Sequence, residues 1–433
     1  MILSLLIRSV GSSFLGRRIK RVKLQDLIKG SFTYKILSSI YEVLSGSYER
    51  SLLVRSARRL CEITAKPTRY FEIKINLRVK GVLDHFLEIV FSPIALPIGF
   101  LLFFTLSLVR ISEGTLLLLA LTLISMIAGI LIARMEDDLY VADSRGMVLF
   151  IGAVMFLIGY ASFFVQIVNA GGIPLLDEQV RRKLSAVLNY LSWSTVPGAV
   201  FILSSCRIKK CDAILFSLIG FIPSLFLAFR TEMIAYLLAV TLVLYRRRII
   251  GLEFIVAAFV AAIISFIGIG AFRSIATGLV QNPLLSVLYR PTITVAALDT
   301  MVRIYGMRPV TNGYVHLSAL SSLGLISGSR YGPRNLIGRY TMGRSDVSTT
   351  ATLVGGPLLD WGLLGALASG LIYSYMLALS WKFSGKRESL LGPYATIFSY
   401  LIVGIETGIL DLNVYIYLLI SILVVILSLR PRG

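Results

Sequence analysis

The stretch from Gly114 to Ala133 reads GTLLLLALTLISMIAGILIA and carries no charged side chain. A helix of about 20 apolar residues is long enough to cross the hydrocarbon core of a bilayer. Inside a bilayer no water is available to the backbone, and a helix satisfies its backbone polar groups within one segment. This stretch therefore predicts a transmembrane helix.

The composition of the whole chain also indicates a membrane protein. Of its 433 residues, 56% are hydrophobic and 15% are charged, and the mean hydropathy is +0.82. Soluble domains are roughly 45–50% apolar and about 25% charged. These values exclude a disordered chain, a collagen and most soluble enzymes. The net charge of +20 comes from 43 basic and 23 acidic residues, so the positions of the basic residues become informative.

Ten apolar stretches are candidate membrane spans. The sequence therefore predicts an all-α, polytopic membrane helix bundle of about ten transmembrane helices. The stretch 231–245 is short and needs Arg230 or Tyr245 to reach a membrane interface. The predicted spans are 89–109, 114–134, 147–168, 187–205, 213–229, 231–245, 252–270, 353–381, 389–408 and 412–429.

Basic clusters recur in alternate loops between these spans. With ten spans, all of these clusters lie on the same side, and only Lys183 among the twelve lysines lies on the other side. Cytoplasmic loops carry the excess of Lys and Arg, so we expect both chain termini to be cytoplasmic. The clusters are Arg207 to Lys210, Arg246 to Arg248, Lys382 to Arg387, and Arg430 with Arg432.

Residues 1–86 form a separate basic segment with 17 Lys or Arg and six Asp or Glu. Apolar residues recur in it at helical spacing, for example at Ile36, Ile40 and Val43. We expect amphipathic basic helices that lie on the anionic inner leaflet. A docking platform for a cytoplasmic partner is the alternative. The rest of the chain divides into spans 1–7 (87–270), an external loop (271–351) and spans 8–10 (352–433).

The predicted external loop, residues 271–351, is unusual in its charges. It contains eight arginines, no lysine and no glutamate, with Asp299 and Asp346 as its only acids. Arginine presents a planar fork of donors that binds phosphate oxygens in pairs and stays charged when partly desolvated. The loop therefore favours a site for a lipid-linked phosphate or diphosphate. The alternative is a structural loop whose arginines bond helix carbonyls and acidic lipid head groups.

Further charged residues are predicted at the same side of the membrane. Arg230 and Glu232 start the sixth span, Asp360 lies early in the eighth, and Glu406 precedes the last outer turn. Ionisable residues at such positions are functional candidates. They could converge with the arginines on one external cavity. The three cysteines and two histidines are too few for a disulfide framework or a Cys/His metal site, and no metal site is predicted.

Several of these features resemble the oligosaccharide repeat-unit polymerases, the Wzy-type O-antigen polymerases. One is the sequence GGIPLL at 171–176, which follows a span and precedes a basic stretch. Another is GGPLLDWGLLG at 355–365, similar to the family's acidic-aromatic-Gly-x-x-Gly span entrance. The third is Arg230 at the start of a span that ends in a basic cluster, and the fourth is the large late external loop. Arg344 with Gly355 also fits an Arg-x10-Gly spacing found in some members. The first 86 residues are outside the resemblance.

The related O-antigen ligases share this architecture and are the nearest rival. They carry a histidine eleven residues before the first glycine of the Gly-x-x-Gly pair. Counting back from Gly362 gives Ala351, so that histidine is missing at this spacing. His316 is the only histidine in the predicted external loop, and it would have to replace the ligase histidine through a tertiary contact. This departure favours a polymerase. A flippase or transporter is the alternative from another class.

The resemblance implies an inverting, metal-independent glycosyl transfer without a cofactor, in the cytoplasmic membrane with the active site facing outside. The partners it implies are a donor and an acceptor polyprenyl-diphosphate-linked oligosaccharide and membrane lipids, with no nucleic acid. The resemblance leaves open whether a chain-length regulator binds residues 1–86. Arginines would stabilise the leaving lipid diphosphate, and a general base would position the acceptor hydroxyl. The predicted substrate-binding residues are Arg230, Arg273, Arg290, Arg334, Arg339 and Arg344, and the predicted catalytic residues are Glu232, His316, Asp360 and Glu406.

Overall fold

A computed structural model of the chain describes residues 85–136, 140–251, 255 and 283–430. Most of the predicted basic segment 1–86 lies outside the described residues. So do the predicted seventh span, 252–270, except for Ile255, and Arg273 in the predicted arginine loop.

The described residues are mostly helical, with almost no strand, which confirms the predicted all-α class. A 3-10 turn at Glu388–Leu390 precedes α13, and two short strands, β1 (Tyr140–Val141) and β2 (Leu429–Arg430), pair antiparallel. The helices are α1 (Ala95–Thr105), α2 (Glu113–Met135), α3 (Arg145–Ala170), α4 (Glu178–Arg182), α5 (Ala186–Ser192), α6 (Thr195–Ser205), α7 (Lys210–Phe226), α8 (Arg230–Arg246), α9 (Pro283–Tyr305), α10 (Tyr314–Ser321), α11 (Pro333–Met342), α12 (Thr352–Ser384), α13 (Leu391–Thr407) and α14 (Leu412–Leu427).

Five of these helical segments are long and apolar enough to cross a membrane. They correspond to α2, α3, α5 with α6, α12, and the 3-10 turn with α13. Helices α1 and α14 are apolar but shorter. Every predicted span except 252–270 overlaps a described helix, while the count of ten crossings stays a prediction.

Small residues let the longest helix, α12, approach α2 closely. A Cβ atom added at Gly129 would lie 2.3 Å from the Ser374 hydroxyl oxygen, and one added at Gly370 would lie 2.5 Å from that of Ser125. Where both surfaces are apolar, close backbone approach is what favours helix association in lipid. Among the described helices, α2 and α12 therefore form the most extensive contact.

The basic loops meet at one end of the bundle. Arg247 donates to the carbonyl of Cys206 at 2.7 Å, and Lys382 donates to the carbonyl of Glu136 at 2.7 Å. The guanidinium of Arg246 lies 4.4 Å from the ring centre of Trp381. The β1–β2 pair joins the loop before α3 to the residues after α14. The basic loops that the charge pattern predicts on one side of the membrane therefore lie at the same end of the bundle. That this end faces the cytoplasm stays a prediction.

Helix α12 is broken at Gly362, which has φ 64° and ψ −152°. The loop after α9 packs against this break: the amide of Leu363 donates to the carbonyl of Met307 at 2.9 Å, and the amide of Val310 donates to that of Leu359 at 2.8 Å. A Cβ at Gly362 would lie 2.6 Å from the Met307 carbonyl oxygen, so only glycine fits. The break thus holds the following helix, α10, against the first part of α12.

Candidate active site

Charged side chains from five elements converge at the end of the bundle opposite the basic loops. Helix α8 runs from Arg230 to the basic loop after Arg246, so Arg230 marks this opposite end. Glu406 lies in the last turn of α13, and Asp411 caps the start of α14. Arg290 comes from α9 and Arg334 from α11. We call Arg230, Arg290, Arg334, Glu406 and Asp411 the arginine cluster.

Ion pairs join these residues. Arg334 Nη2 lies 2.5 Å from Asp411 Oδ2, and both side chains are about three-quarters buried. Arg290 Nη1 lies 3.8 Å from Glu406 Oε1, with both side chains partly exposed. The positive charges of Arg230, Arg290 and Arg334 all act on Glu406. Three arginines against two carboxylates leave a net positive charge at this end of the bundle.

Arg181, from the short helix α4, extends the cluster. Its guanidinium carbon lies 5.4 Å from the ring centre of Phe229, and its charge acts on the half-buried Arg230. Arg181 lies in the basic stretch that follows the GGIPLL motif and is not among the predicted substrate-binding residues. Two signals pointed to it: its place beside that motif and its predicted position on the same side of the membrane as the other outer charges.

Glu232 is held inside the bundle behind the cluster. Its side chain is buried, with 3% of the residue exposed. Tyr400 donates a hydrogen bond to Oε2 at 2.5 Å, and Asn413 Nδ2 donates to Oε1 at 3.4 Å. Burial of a carboxylate is costly unless hydrogen bonds satisfy it, and these two donors do so. Tyr400 and Asn413 lie within predicted spans and gave no sequence signal of a site.

A cavity of about 260 Å³ lies between Glu232 and the arginine cluster. It combines charged walls with aromatic ones. Its lining consists of Ala186, Asn189, Tyr190, Trp193, Phe229, Thr231, Glu232, Arg334 and Asp411.

A second polar group forms where α10 meets α12. Asp360 is fully buried, and its Oδ2 is hydrogen-bonded to Nδ1 of His316. Four donors satisfy this carboxylate in total: the His316 ring, the Thr311 hydroxyl, and the backbone amides of Val315 and His316, the last two at 2.9 Å. We call His316 and Asp360 the His–Asp pair. The carboxylate fixes the orientation of the imidazole ring.

His316 of this pair lines an apolar groove of about 390 Å³ along α12 and the start of α14, whereas the buried Asp360 does not. The His316 ring stacks at 4.6 Å on Trp361 and lies 6.0 Å from the ring of Tyr415. The amide of Tyr415 donates to the carbonyl of Asp411 at 3.4 Å, so Tyr415 lies one helical turn along α14 from Asp411 of the arginine cluster. A Cβ at Gly356 would lie 3.5 Å from His316 Cε1, so the histidine stands beside the GGPLLDW motif.

The remaining predicted arginines lie elsewhere. Arg339 is exposed on α11. Arg344 pairs with Asp346 through Nη2 and Oδ2 at 2.6 Å, and both side chains are about two-thirds exposed. The hydrogen bond from Arg344 holds the pKa of Asp346 below its ordinary value. Neither arginine lines the 260 Å³ cavity. Arg273 lies outside the described residues, so its role and those of Arg339 and Arg344 stay predictions.

Metal ligands are not grouped in the described part of the chain. Among residues 85–136, 140–251, 255 and 283–430, no three His, Cys, Asp or Glu side chains cluster as metal ligands would.

The sequence from residue 89 to residue 418 matches a protein family described as "Putative O-antigen polymerase". The matched range covers well over half of the chain. The chain belongs to the O-antigen polymerase family. Membership confirms the resemblance drawn from the sequence motifs, and it indicates a membrane glycosyltransferase that polymerises oligosaccharide repeat units. The matched range leaves out residues 1–86.

One curated relative comes from an archaeon. An uncharacterized protein of Methanocaldococcus jannaschii is 28% identical over 283 residues, which are 65% of this chain and 77% of that protein. No solved structure matches the chain.

Proposed function

We propose that the chain joins repeat units carried by polyprenyl diphosphate, and that it does so on the outer face of the cytoplasmic membrane. The convergence of Arg230, Arg290 and Arg334 on Glu406 supports this proposal most strongly. Three guanidinium groups at one end of a membrane bundle match the chemistry of a diphosphate bound to a lipid. The family to which the chain belongs acts on lipid-linked oligosaccharides, in agreement with this site.

The arginine cluster would stabilise the leaving group. When the bond between the anomeric carbon and the diphosphate breaks, the electron pair leaves with the diphosphate oxygen. Fixed positive groups in a site with little water stabilise such developing charge without reorganising, and they need no metal ion. Glu406 and Asp411 hold the arginines in place before the substrate binds, and the diphosphate then competes with these carboxylates for them.

The His–Asp pair would supply the general base. The acceptor hydroxyl oxygen attacks the anomeric carbon from the face opposite the diphosphate, so the configuration inverts. Its proton passes to Nε2 of His316, while Nδ1 keeps its hydrogen bond to Asp360. A positioned base contributes about 10²–10⁴-fold in rate. Asp360 is therefore a positioning residue, since His316 stands between it and the substrate.

Glu232 and Glu406, the other predicted bases, have different roles in this proposal. Glu406 belongs to the arginine cluster and holds its arginines in place. Glu232, which already accepts two hydrogen bonds, orients polar groups of the donor, while His316 takes the proton of the acceptor.

A ligase-type transfer is the second candidate, and one observation favours it. His316 reaches the GGPLLDW entrance of α12 from a distant segment, beside Gly356 and Trp361. It could therefore replace the histidine that ligases carry near this entrance. A ligase would move a finished glycan once to a different acceptor, whereas a polymerase extends the lipid-linked glycan repeatedly.

The test is an activity assay on purified protein reconstituted in liposomes. The substrate is the lipid-diphosphate-linked oligosaccharide from the organism that encodes the chain, and products are separated on a gel. We expect a ladder of lengthened lipid-linked glycans. A single transfer to another acceptor would move the chain to the ligases. An unconsumed donor that crosses the bilayer would overturn the glycosyltransferase and favour a flippase.

A further inference from the structure

The 260 Å³ cavity beside the arginine cluster has an aromatic wall that the leaving-group chemistry does not use. Trp193 lies 5.4 Å from Tyr190 and 4.8 Å from Phe229, ring centre to ring centre. Flat apolar faces of this kind accommodate the C–H faces of a ring-shaped ligand. The wall lies on α5 and the turns before α6 and α8.

The same cavity carries both hydrogen-bond acceptors and hydrogen-bond donors. Glu232 and Asp411 supply carboxylate oxygens, which accept hydrogen bonds. Trp193, only 7% exposed, has a buried Nε1 with no hydrogen-bond partner among the described residues, and the same holds for Nε of Arg334. Buried donors are normally paired, so each such group needs an explanation. A ligand that fills the cavity and accepts hydrogen bonds would supply it.

These groups select the class of ligand. A second phosphate would meet Glu232 and Asp411 with Arg334 as the one arginine of the lining, so the net negative charge would repel it. A lipid chain would leave the buried N–H groups of Trp193 and Arg334 without acceptors, at a cost in free energy. A neutral ring with several hydroxyls satisfies both sets of groups, because each hydroxyl donates to a carboxylate and accepts from an N–H.

We propose that this cavity binds one monosaccharide of the substrate, namely the sugar joined directly to the diphosphate. Arg334 connects the two sites, because it lines the cavity and pairs with Asp411 of the arginine cluster. A diphosphate held by the cluster would therefore leave its attached sugar against Trp193 and Glu232. This inference rests on the proposed function for the identity of the lipid-linked ligand. It makes Trp193, Tyr190 and Glu232 determinants of which sugar is accepted.

The test compares the binding of two ligands to protein in lipid nanodiscs. One is the polyprenyl-diphosphate-linked oligosaccharide extracted from the source organism, and the other is the polyprenyl diphosphate released from the same extract. The variant Trp193→Phe keeps a ring and removes the N–H donor. Trp381→Phe, at the opposite end of α12, is the matched control. Thermal melting of both variants checks that they fold.

We expect the wild type and W381F to bind the sugar-linked lipid more tightly than the bare diphosphate. We expect W193F to lose about tenfold in affinity for the sugar-linked lipid and to bind the bare diphosphate as the wild type does, since one hydrogen bond to the sugar is lost. Equal affinity of the wild type for both ligands would overturn the sugar site, and so would an equal loss for both ligands in W193F. These binding measurements do not depend on turnover. A failed ladder assay would therefore overturn the proposed polymerisation and leave the sugar site standing.

Discussion

The change Asp360→Asn tests the His–Asp pair in the most detail. The asparagine keeps the shape of the side chain but replaces one acceptor oxygen with an NH₂ donor. Asp360 now accepts two hydrogen bonds on each oxygen. Whichever way the amide is turned, its NH₂ group faces a backbone N–H, that of Val315 or that of His316.

The size of the effect follows from these contacts. A buried amide left without an acceptor costs about 1–3 kcal/mol, and the lost charge of the carboxylate weakens the remaining bonds. We therefore expect D360N to lower the free energy of unfolding by about 3 kcal/mol. If the NH₂ group donates to Nδ1 of His316, the ring proton moves to Nε2, and the histidine can no longer accept a proton there. Turnover should then fall on the order of 10²- to 10⁴-fold.

The assay is the ladder reaction, run beside thermal melting in detergent. Thr311→Val is the matched control, because it removes one hydrogen bond to Asp360 and leaves the contact with His316 intact. We expect T311V to lose stability but to keep turnover within about fivefold, since the imidazole orientation is preserved. A folded D360N that turns over within about tenfold of the wild type would refute the proposed base and leave the pair a structural contact.

Three further predictions concern single residues. Arg334→Lys should reduce turnover in the ladder assay at least tenfold, because lysine cannot make paired contacts with a diphosphate. The control Arg303→Lys changes an exposed arginine paired with Asp299, and its turnover should stay within about twofold of the wild type. Gly362→Ala should destabilise the protein by several kcal/mol, because alanine resists this backbone conformation and its Cβ would meet the Met307 carbonyl. The control Gly385→Ala should melt like the wild type, because Gly385 has φ −65° and an added Cβ would have no neighbouring atom within 3.4 Å. Burial raises the pKa of Asp299, but hydrogen bonds from Ser112 and Thr115 outweigh it and lower that pKa overall. The ionised Asp299 carboxylate therefore stabilises the fold above about pH 4, and this stabilisation is lost as the pH falls through the pKa of Asp299 in the folded protein. The melting temperatures of wild type and Asp299→Asn should differ at pH 7 and converge in acid, and a constant difference would contradict this assignment.

The sequence was sufficient for the fold class and the family, because long apolar stretches and charge alternation are local signals. Glu113–Met135 and Arg145–Ala170 follow directly from uncharged stretches of bilayer length. The arginine cluster was partly accessible too. Arg290 and Arg334 were predicted from the arginine-rich external loop, and Arg230 and Glu406 from their positions at the outer ends of predicted spans. The structure brings these four residues together, and their roles stay predictions.

The His–Asp pair could not be derived from spacing. His316 and Asp360 are 44 residues apart, and they meet because Gly362 breaks α12 and the loop after α9 docks at the break. Such a tertiary contact leaves no periodic pattern in the sequence. Trp193 and Tyr400 were hidden for another reason, since aromatic residues in an apolar stretch are indistinguishable from ordinary span residues until the cavity around them is known.

Product inhibition of the ladder reaction tests the central claim most directly. Polyprenyl diphosphate is the leaving group, so the arginine cluster should bind it after each transfer. Adding it should inhibit the wild type and R303K at similar concentrations. R334K should need at least tenfold more for the same inhibition, because one paired contact is lost. Identical inhibition of all three proteins would contradict the account, since the cluster would then not hold the leaving diphosphate.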